Sequence, residues 1–212
     1  MIIFSRLVTL KGAVGAVMEY THEVTTLVND IVDVEVALSV CGPGYPGNSF
    51  IWATTVESRA QLADTQATLL ANSAYQEMSA KGLEFWTGPP LDRLREVLHL
   101  AGISEGDTVP VGSTSTVVTA NIANGKFGEA IPWSIELTDY ASQLFGAPVA
   151  FTRSLAGSFA EVAWITVTET PADLDKVHQL ELTDEGYGQR IDAAGDLFVE
   201  GSAHRAYLTR IA

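Results

Sequence analysis

The chain carries one segment twice, as FIWATTVESRAQLADTQATLLANSAY at residues 50–75 and as VAWITVTETPADLDKVHQLELTDEGY at residues 162–187. The shared positions keep a constant spacing of 112 residues: Trp52, Thr54, Ala60, Leu62, Leu70 and Tyr75 recur as Trp164, Thr166, Ala172, Leu174, Leu182 and Tyr187. Self-similarity at one fixed period indicates that a structural unit has been duplicated. The sequence therefore predicts two copies of one small fold.

Strands and helices alternate around this segment. Residues 2–10 are apolar and β-branched and predict a strand, while the apolar residues of 14–32 recur at i, i+3, i+4 and i+7 and predict an amphipathic helix. Residues 34–40 and 50–56 predict two more strands joined by a Gly- and Pro-rich loop. The corresponding strands of the second half are predicted at residues 149–153 and 159–167.

The second helix of each half begins at a capping residue. Ser58 followed by Gln61 matches a capping box, and Thr170 precedes Pro171, which favours the first position of a helix. Tyr75 falls on the face opposite Leu62. The sequence therefore predicts a helix break near residues 72–73 and, by the repeat, near residues 183–184.

The last element of the first half is ambiguous from periodicity alone. The apolar residues of 91–98 have helical spacing, but the repeat aligns them with residues 203–212, which have the composition of a strand. We let the repeat decide and predict a strand in both halves. The fold is then α+β: two ferredoxin-like β-α-β-β-α-β units at residues 1–100 and 115–212, joined by a linker at residues 101–114.

Charge and composition exclude several classes of partner. The formal net charge is −14, and the 12 Lys and Arg residues are scattered singly, so the basic patch typical of nucleic-acid binding is missing from the sequence. No run approaches the roughly 18 apolar residues of a membrane span, and Met1 is not followed by a basic leader. We therefore expect a cytoplasmic protein without nucleic-acid or membrane partners. The single cysteine, Cys41, excludes an internal disulfide and a multi-thiolate metal site.

With the helix over 20–31, the strands over 34–56 and the helix over 62–75 in order, each half resembles the dimeric α+β barrel superfamily, which includes antibiotic-biosynthesis and haem-degrading monooxygenases. The phrases at residues 70–76 and 182–188 resemble the family's helix that breaks at a small polar residue before an aromatic. The resemblance implies two face-to-face sheets with helices outside and a substrate pocket between helices and sheet. Many members carry a histidine where this chain has Leu69 and Glu181.

His178 and Glu181 are the candidate catalytic residues. His178 lies four residues from both Leu174 and Leu182, so we expect it to face the sheet, where an imidazole could act as a base. Glu181 is three residues further and would share its helix face, which would let it orient the imidazole. The alternative is a histidine that is merely satisfied in the core, and the first half has Gln66 at this position.

Large rings are the candidate substrate-binding residues. They are Tyr20 and Trp133 on the first helix of each half, Trp52 and Trp164 on equivalent strands, and Tyr187 after the predicted helix break. Such rings could stack on a flat aromatic ligand, or they could simply fill the core. His22, Glu23 and Glu136 lie at the edges of the helices, where a solvated role is the simpler interpretation.

The sequence thus favours a protein that binds a small apolar or aromatic molecule, with a cofactor-independent monooxygenase as the enzymatic form of that hypothesis. The competing hypotheses are a non-catalytic interaction or assembly module and a haem-binding protein that uses His178. Neither a metal site nor a resident cofactor is predicted. The two halves would form a dimer-like unit within one chain, and further self-association is compatible with it.

Overall fold

The computed structural model describes residues 1–103 and 109–212. The first half contains β1 (Ile2–Thr9), α1 (Val14–Ile31), β2 (Val36–Cys41), β3 (Ser49–Val56), α2 (Arg59–Ala71), α3 (Ser73–Gly82) and β4 (Leu91–Ala101). The second half contains β5 (Thr114–Asn121), α4 (Phe127–Phe145), β6 (Val149–Ser154), β7 (Glu161–Thr168), α5 (Pro171–Thr183), α6 (Glu185–Ala193) and β8 (His204–Arg210). Residues 104–108 of the predicted linker lie outside the described residues, and the division into two domains stays a prediction.

The eight strands close into one antiparallel barrel in the order β1-β3-β2-β8-β5-β7-β6-β4. Each half contributes four adjacent strands, and the halves join where β4 pairs with β6 and β8 pairs with β2. The last strand of each half therefore pairs with a strand of the other. The predicted α+β barrel within a single chain is confirmed, and closure leaves neither sheet with a free edge.

The predicted strands at the end of each half are confirmed as β4 and β8. β4 hydrogen-bonds to β1 on one side and to β6 on the other. Helix-like spacing of leucines in residues 91–98 does not produce a helix because both flanking strands offer backbone partners to this segment. Tertiary pairing overrides a weak local preference here.

The helix breaks after α2 and α5 are also confirmed, and capping explains them. The Asn72 side chain accepts a hydrogen bond from the Tyr75 amide at 3.1 Å, and the Asp184 side chain accepts one from the Tyr187 amide at 2.7 Å. Both capping residues have extended backbone angles, so each ends one helix and starts the next. The two aromatic residues are thereby turned onto a new face.

Successive strand residues alternate between the barrel interior and the outer surface, which the helices cover. Trp52 and Leu38 belong to the core under α1, whereas Phe151 and Val162 belong to a separate core under α4. The two cores lie on different parts of the barrel wall. Among the helices formed by the described residues, none combines the length and apolar character required to cross a bilayer.

Cys41 ends β2 and is partly buried. Burial raises the pKa of its thiol to about 12, so the reactive thiolate is almost absent near neutral pH. We expect native protein to react with iodoacetamide at pH 8 far more slowly than the same protein unfolded in guanidinium chloride. Intact mass spectrometry measures both rates, and equal rates would contradict this burial.

Candidate functional site

Aromatic side chains converge between α4 and the sheet of the second half. The rings of Trp133 and Trp164 meet edge to face at 6.1 Å, and Phe198 lies 5.4 Å from the first and 5.6 Å from the second. Trp164 also stacks on Phe151 with ring centroids 5.3 Å apart and an interplanar angle of 29°. The predicted pair of tryptophans is therefore part of a continuous aromatic surface, which we call the second-half site.

The two equivalent strand tryptophans differ in hydrogen bonding. In the first half, Trp52 donates its indole N–H to the Thr25 hydroxyl at 2.9 Å. In the second half, Thr138 donates to the Ser134 carbonyl just as Thr25 donates to that of Thr21, but the buried indole nitrogen of Trp164 has no partner within the described part of the chain. Among the described residues the Trp164 indole therefore has a free N–H donor, whereas the equivalent N–H of Trp52 is hydrogen-bonded to Thr25.

Two threonine hydroxyls on the neighbouring strand share this property. Thr116 and Thr114 lie on β5, two and four residues from Val118, the register partner of Trp164, and neither buried side-chain oxygen has a hydrogen-bond partner among residues 1–103 and 109–212. Their strand positions place them on the same outward face of the sheet as Trp164, because all three are separated by even steps in the β5–β7 register. Buried polar groups normally have partners, so this face has unused hydrogen-bonding capacity.

His178 faces the sheet as the sequence predicts. Its Nε2 lies 3.4 Å from the hydroxyl oxygen of Tyr207 on β8, and the two rings meet edge to face at 5.7 Å. The imidazole is only partly buried. This arrangement fixes the ring against a phenol, a group that the sequence analysis did not select.

Glu181 does not orient His178. Both of its carboxylate oxygens accept hydrogen bonds from Arg205 of β8, at 2.8 and 2.9 Å. A bidentate guanidinium–carboxylate pair is stronger and more directional than a hydrogen bond to a neutral imidazole, which explains the choice of partner. The predicted interaction within the helix is therefore corrected to an ion pair between α5 and the sheet.

Tyr187 lies close to this ion pair. Burial, together with the Glu181 carboxylate, raises the pKa of its phenol to about 12, and Arg205 opposes this effect. The ring packs against Phe145 at a centroid distance of 5.7 Å. The structure thus places Tyr187, Glu181 and His178 around β8, at the side of the second-half site.

Tyr20 belongs to a different region. It is 97% buried in the core of the first half, where its ring stacks on Phe85 at 4.9 Å. Tyr20 and the pair Trp133 and Trp164 thus belong to different halves, as the repeat implies, and the binding role of each stays a prediction. The repeat places these residues at equivalent positions, and equivalent positions in a tandem barrel lie on separate sheets.

The remaining candidates lie at the surface. Glu23 accepts a hydrogen bond from Lys81 of α3 at 2.9 Å, and His22 lines the same open groove between α1 and α3. Glu136 is exposed on α4. These positions agree with the solvated role that the sequence favours for the three residues.

The residues around His178 do not fit a haem ligand as they stand. The imidazole nitrogen that would bind iron is the one in contact with the Tyr207 hydroxyl. Freeing it would require a change in the α5–β8 contact, which the Glu181–Arg205 pair holds in place. We therefore derive no step that uses haem.

Sequence reasoning missed four residues that complete this region: Phe151, Phe198, Arg205 and Tyr207. Two of them have counterparts in the first half: Leu38 pairs with Trp52 as Phe151 pairs with Trp164, and Trp86 lies 112 residues before Phe198. A position where the copies differ in side-chain size can indicate where they differ in function. Arg205 and Tyr207 come from β8, and only strand pairing shows that they face α5.

Comparison with solved structures supports the fold over the whole chain. A candidate monooxygenase from Fusobacterium nucleatum subsp. nucleatum superposes with a TM-score of 0.74 at 9% identity, covering 100% of this chain and 92% of its own. An anthrone oxidase-like protein gives a TM-score of 0.66 at 13% identity, with 100% and 91% covered. A haem-degrading enzyme from Listeria monocytogenes gives a TM-score of 0.54 at 9% identity, with 99% of each chain covered.

No protein-family model matches the sequence, and a comparison with curated protein sequences finds no relative. Structural similarity at such low sequence identity establishes the fold but not the activity. The closed barrel of eight strands, the tandem halves and the full-length superpositions agree with the resemblance seen in the repeat. The chain has the dimeric α+β barrel fold, with both halves of the barrel supplied by one polypeptide.

Proposed function

We propose that this protein binds a small planar aromatic molecule at the second-half site. The observation that carries the proposal is the buried indole N–H of Trp164, which lies among aromatic rings and has no partner among the described residues. A carbonyl or hydroxyl oxygen on an aromatic ligand would accept this hydrogen bond. The surrounding rings would contact the ligand face by stacking or edge contacts.

Energetics favour this interpretation over simple core filling. A buried donor without a partner costs about 1–3 kcal/mol, and Trp52, the counterpart of Trp164, avoids that cost through its hydrogen bond to Thr25. The second half has an equivalent threonine, Thr138, and does not use it in this way. A hydrogen-bond acceptor on a bound ligand would satisfy the Trp164 N–H and remove this energetic cost.

The helices α5 and α6 could open to let a ligand reach the second-half site. α6 has no fully buried residue, and α5 buries only Leu174 and Val177. An element with so little buried apolar surface can open locally at a small cost in free energy. Displacement of α6 at its Asp184 cap would expose the rings of the second-half site.

Two structural neighbours are named as a candidate monooxygenase and an anthrone oxidase-like protein. On this basis we propose that the protein also oxidises the ligand that it binds. Oxidation of an anthrone by O2 gives the quinone and one molecule of water, and it begins when a base removes a proton from the ring carbon opposite the carbonyl group. His178 supplies an imidazole beside the Tyr207 hydroxyl and is the residue we assign to that role. Glu181 is assigned to hold β8 through Arg205 and not to act on the substrate.

The test uses dithranol, an anthrone with a carbonyl oxygen, and the full-length protein. We expect Trp164→Phe to weaken binding at least tenfold by isothermal titration calorimetry, since one hydrogen bond of about 1.4 kcal/mol is worth that factor. Trp52→Phe, the matched change in the other half, should leave affinity unchanged. Because it breaks a satisfied hydrogen bond, it should lower the thermal midpoint more than Trp164→Phe does.

Turnover is measured in parallel as the oxygen consumption with dithranol that exceeds the rate of its spontaneous oxidation without protein. His178→Gln, which restores the residue of the first half, should abolish consumption while leaving dithranol affinity within twofold. Binding without consumption in the unmodified protein would reduce the proposal to a ligand-binding protein. Absence of binding, or equal affinity in the two tryptophan variants, would overturn the site and favour the non-catalytic module.

A further inference from the structure

The interior of the barrel contains a cavity that is separate from the second-half site. It is a cavity of about 510 Å³ at the end where β1 begins and β8 ends, within the range of roughly 300–1,000 Å³ that is usual for ligand sites. Its wall is formed by side chains from both halves, including Ile3, Ala37, Ala53, Ala150, Ile165 and Val167.

Small side chains at inward-facing positions explain why this space is not filled. Ala37 and Ala53 are register partners on β2 and β3, and Ala150 is the partner of Ile165 on β6 and β7. An eight-stranded barrel is just wide enough to be filled by side chains or to hold one small ligand. Because three of these positions are alanines, the interior keeps enough space for a small ligand.

The chemistry of the wall favours an apolar ligand over an anionic one. The inner surface is mainly aliphatic, with Val97 and Leu100 of β4 adding to it. At the mouth, the Arg210 guanidinium is already paired with the Glu35 carboxylate and also donates to the carbonyls of Val109 and Ala212. A cation that is paired in this way does not attract an anionic ligand.

We propose that the barrel interior is a binding site for a compact, neutral, largely apolar molecule. The cavity faces inward, while the second-half site faces outward toward the helices. Ile165 and Trp164 are consecutive residues of β7 and point to opposite faces of the sheet, so the two sites do not share side chains. The proposal does not depend on the function proposed above.

The experiment compares two fluorescent probes that share the same aromatic skeleton and differ in charge. N-phenyl-1-naphthylamine is neutral, and its sulfonated analogue, anilinonaphthalene sulfonate, is an anion. We expect the neutral probe to bind with enhanced fluorescence and at least ten times more tightly than the anion. Absence of enhancement, or tighter binding of the anion, would overturn the proposal.

The decisive variant is Ala53→Ile. Isoleucine is the residue that the second copy carries at this position, as Ile165, so the strand accepts it. Filling the cavity should weaken the neutral probe at least tenfold without lowering the thermal midpoint. Should Ala53→Ile fail to fold, Ala37→Val makes a smaller change in the same wall and should weaken the probe at least threefold.

The control is Trp164→Phe, which alters the outward-facing site alone. Affinity for the neutral probe should stay within twofold of that of the unmodified protein. If Trp164→Phe weakens the probe and Ala53→Ile does not, the probe occupies the second-half site and the interior proposal fails. If Ala53→Ile weakens the probe while dithranol fails to bind, the interior site stands and the function proposed above does not.

Discussion

Glu161→Gln is expected to lower the free energy of unfolding by about 3 kcal/mol, because it leaves a buried guanidinium without its counter-charge. Arg95 lies on an inward-facing position of β4, its side chain is 7% exposed, and its partner is the Glu161 carboxylate of β7. Burial lowers the pKa of Arg95, and Glu161 opposes that effect. Removal of one member of a buried pair costs about 3–5 kcal/mol, and we take the lower end because Glu161 is 28% exposed.

The neighbouring exposed ion pair supplies the matched control. Glu96 of β4 accepts a hydrogen bond from Arg153 of β6, and their side chains are 36% and 50% exposed. Glu96→Gln should cost less than about 1 kcal/mol, as is usual for an exposed pair. Urea unfolding of both variants measures the difference. Equal losses would show that Arg95 is solvated in solution and would contradict the buried position of its side chain.

A double variant separates the charge from the packing. Replacing Arg95 by Met together with Glu161 by Leu removes both charges while retaining apolar volume. Such replacements are often neutral or stabilising by about 1–4 kcal/mol, because they remove the cost of taking two charges out of water. We expect this variant to be at least as stable as the unmodified protein. A loss as large as that of Glu161→Gln alone would show that the pair has a role in packing that Met and Leu cannot replace.

Gly82→Ala is the second change with a large expected effect. Gly82 ends α3 directly above Tyr20, and a Cβ atom added there would lie 2.0 Å from the phenol oxygen and 2.8 Å from the ring carbon that bears it. Tyr20 is 3% exposed and cannot move aside without displacing Phe85, on which it stacks. Overpacking of this kind costs about 1–3 kcal/mol, and we expect the upper end of that range.

Gly188 on α6 provides the control for Gly82, since a Cβ there would meet no atom within 4 Å. Gly188→Ala should be neutral or stabilising by up to about 1 kcal/mol, because alanine favours a helix more than glycine does. Tyr20→Phe in the Gly82→Ala background should recover part of the lost stability by removing the phenol oxygen. Thermal unfolding followed by circular dichroism compares the variants. Similar midpoints for the two alanine substitutions would contradict the close contact between α3 and Tyr20.

The two proposed sites use the two faces of one sheet in different ways. Outward-facing Trp164 offers a hydrogen bond and aromatic surface under α6, while inward-facing Ala53, Ala150 and Ile165 enclose apolar space. The duplication explains how both can exist. Each copy keeps the strands and helices of the fold, and the copies have diverged at single positions such as Leu38 and Phe151.

The sequence alone determined the architecture because the signals involved are local and repeated. The composition of the strands, the helical spacing in α1, and the caps at Ser58 and Thr170 depend on neighbouring residues only. The spacing of 112 residues then identified β4 as a strand where periodicity alone favoured a helix. Those signals sufficed to predict a tandem α+β barrel.

Only the tertiary structure decided which side chains meet. Glu181 turned out to pair with Arg205, because strand register and barrel closure bring together residues that are distant in the sequence. The unpartnered indole of Trp164 and the cavity beside Ala53 also depend on three-dimensional packing. A repeat shows that two positions are equivalent, but the hydrogen bonds and the space around each depend on neighbours that the two copies do not share.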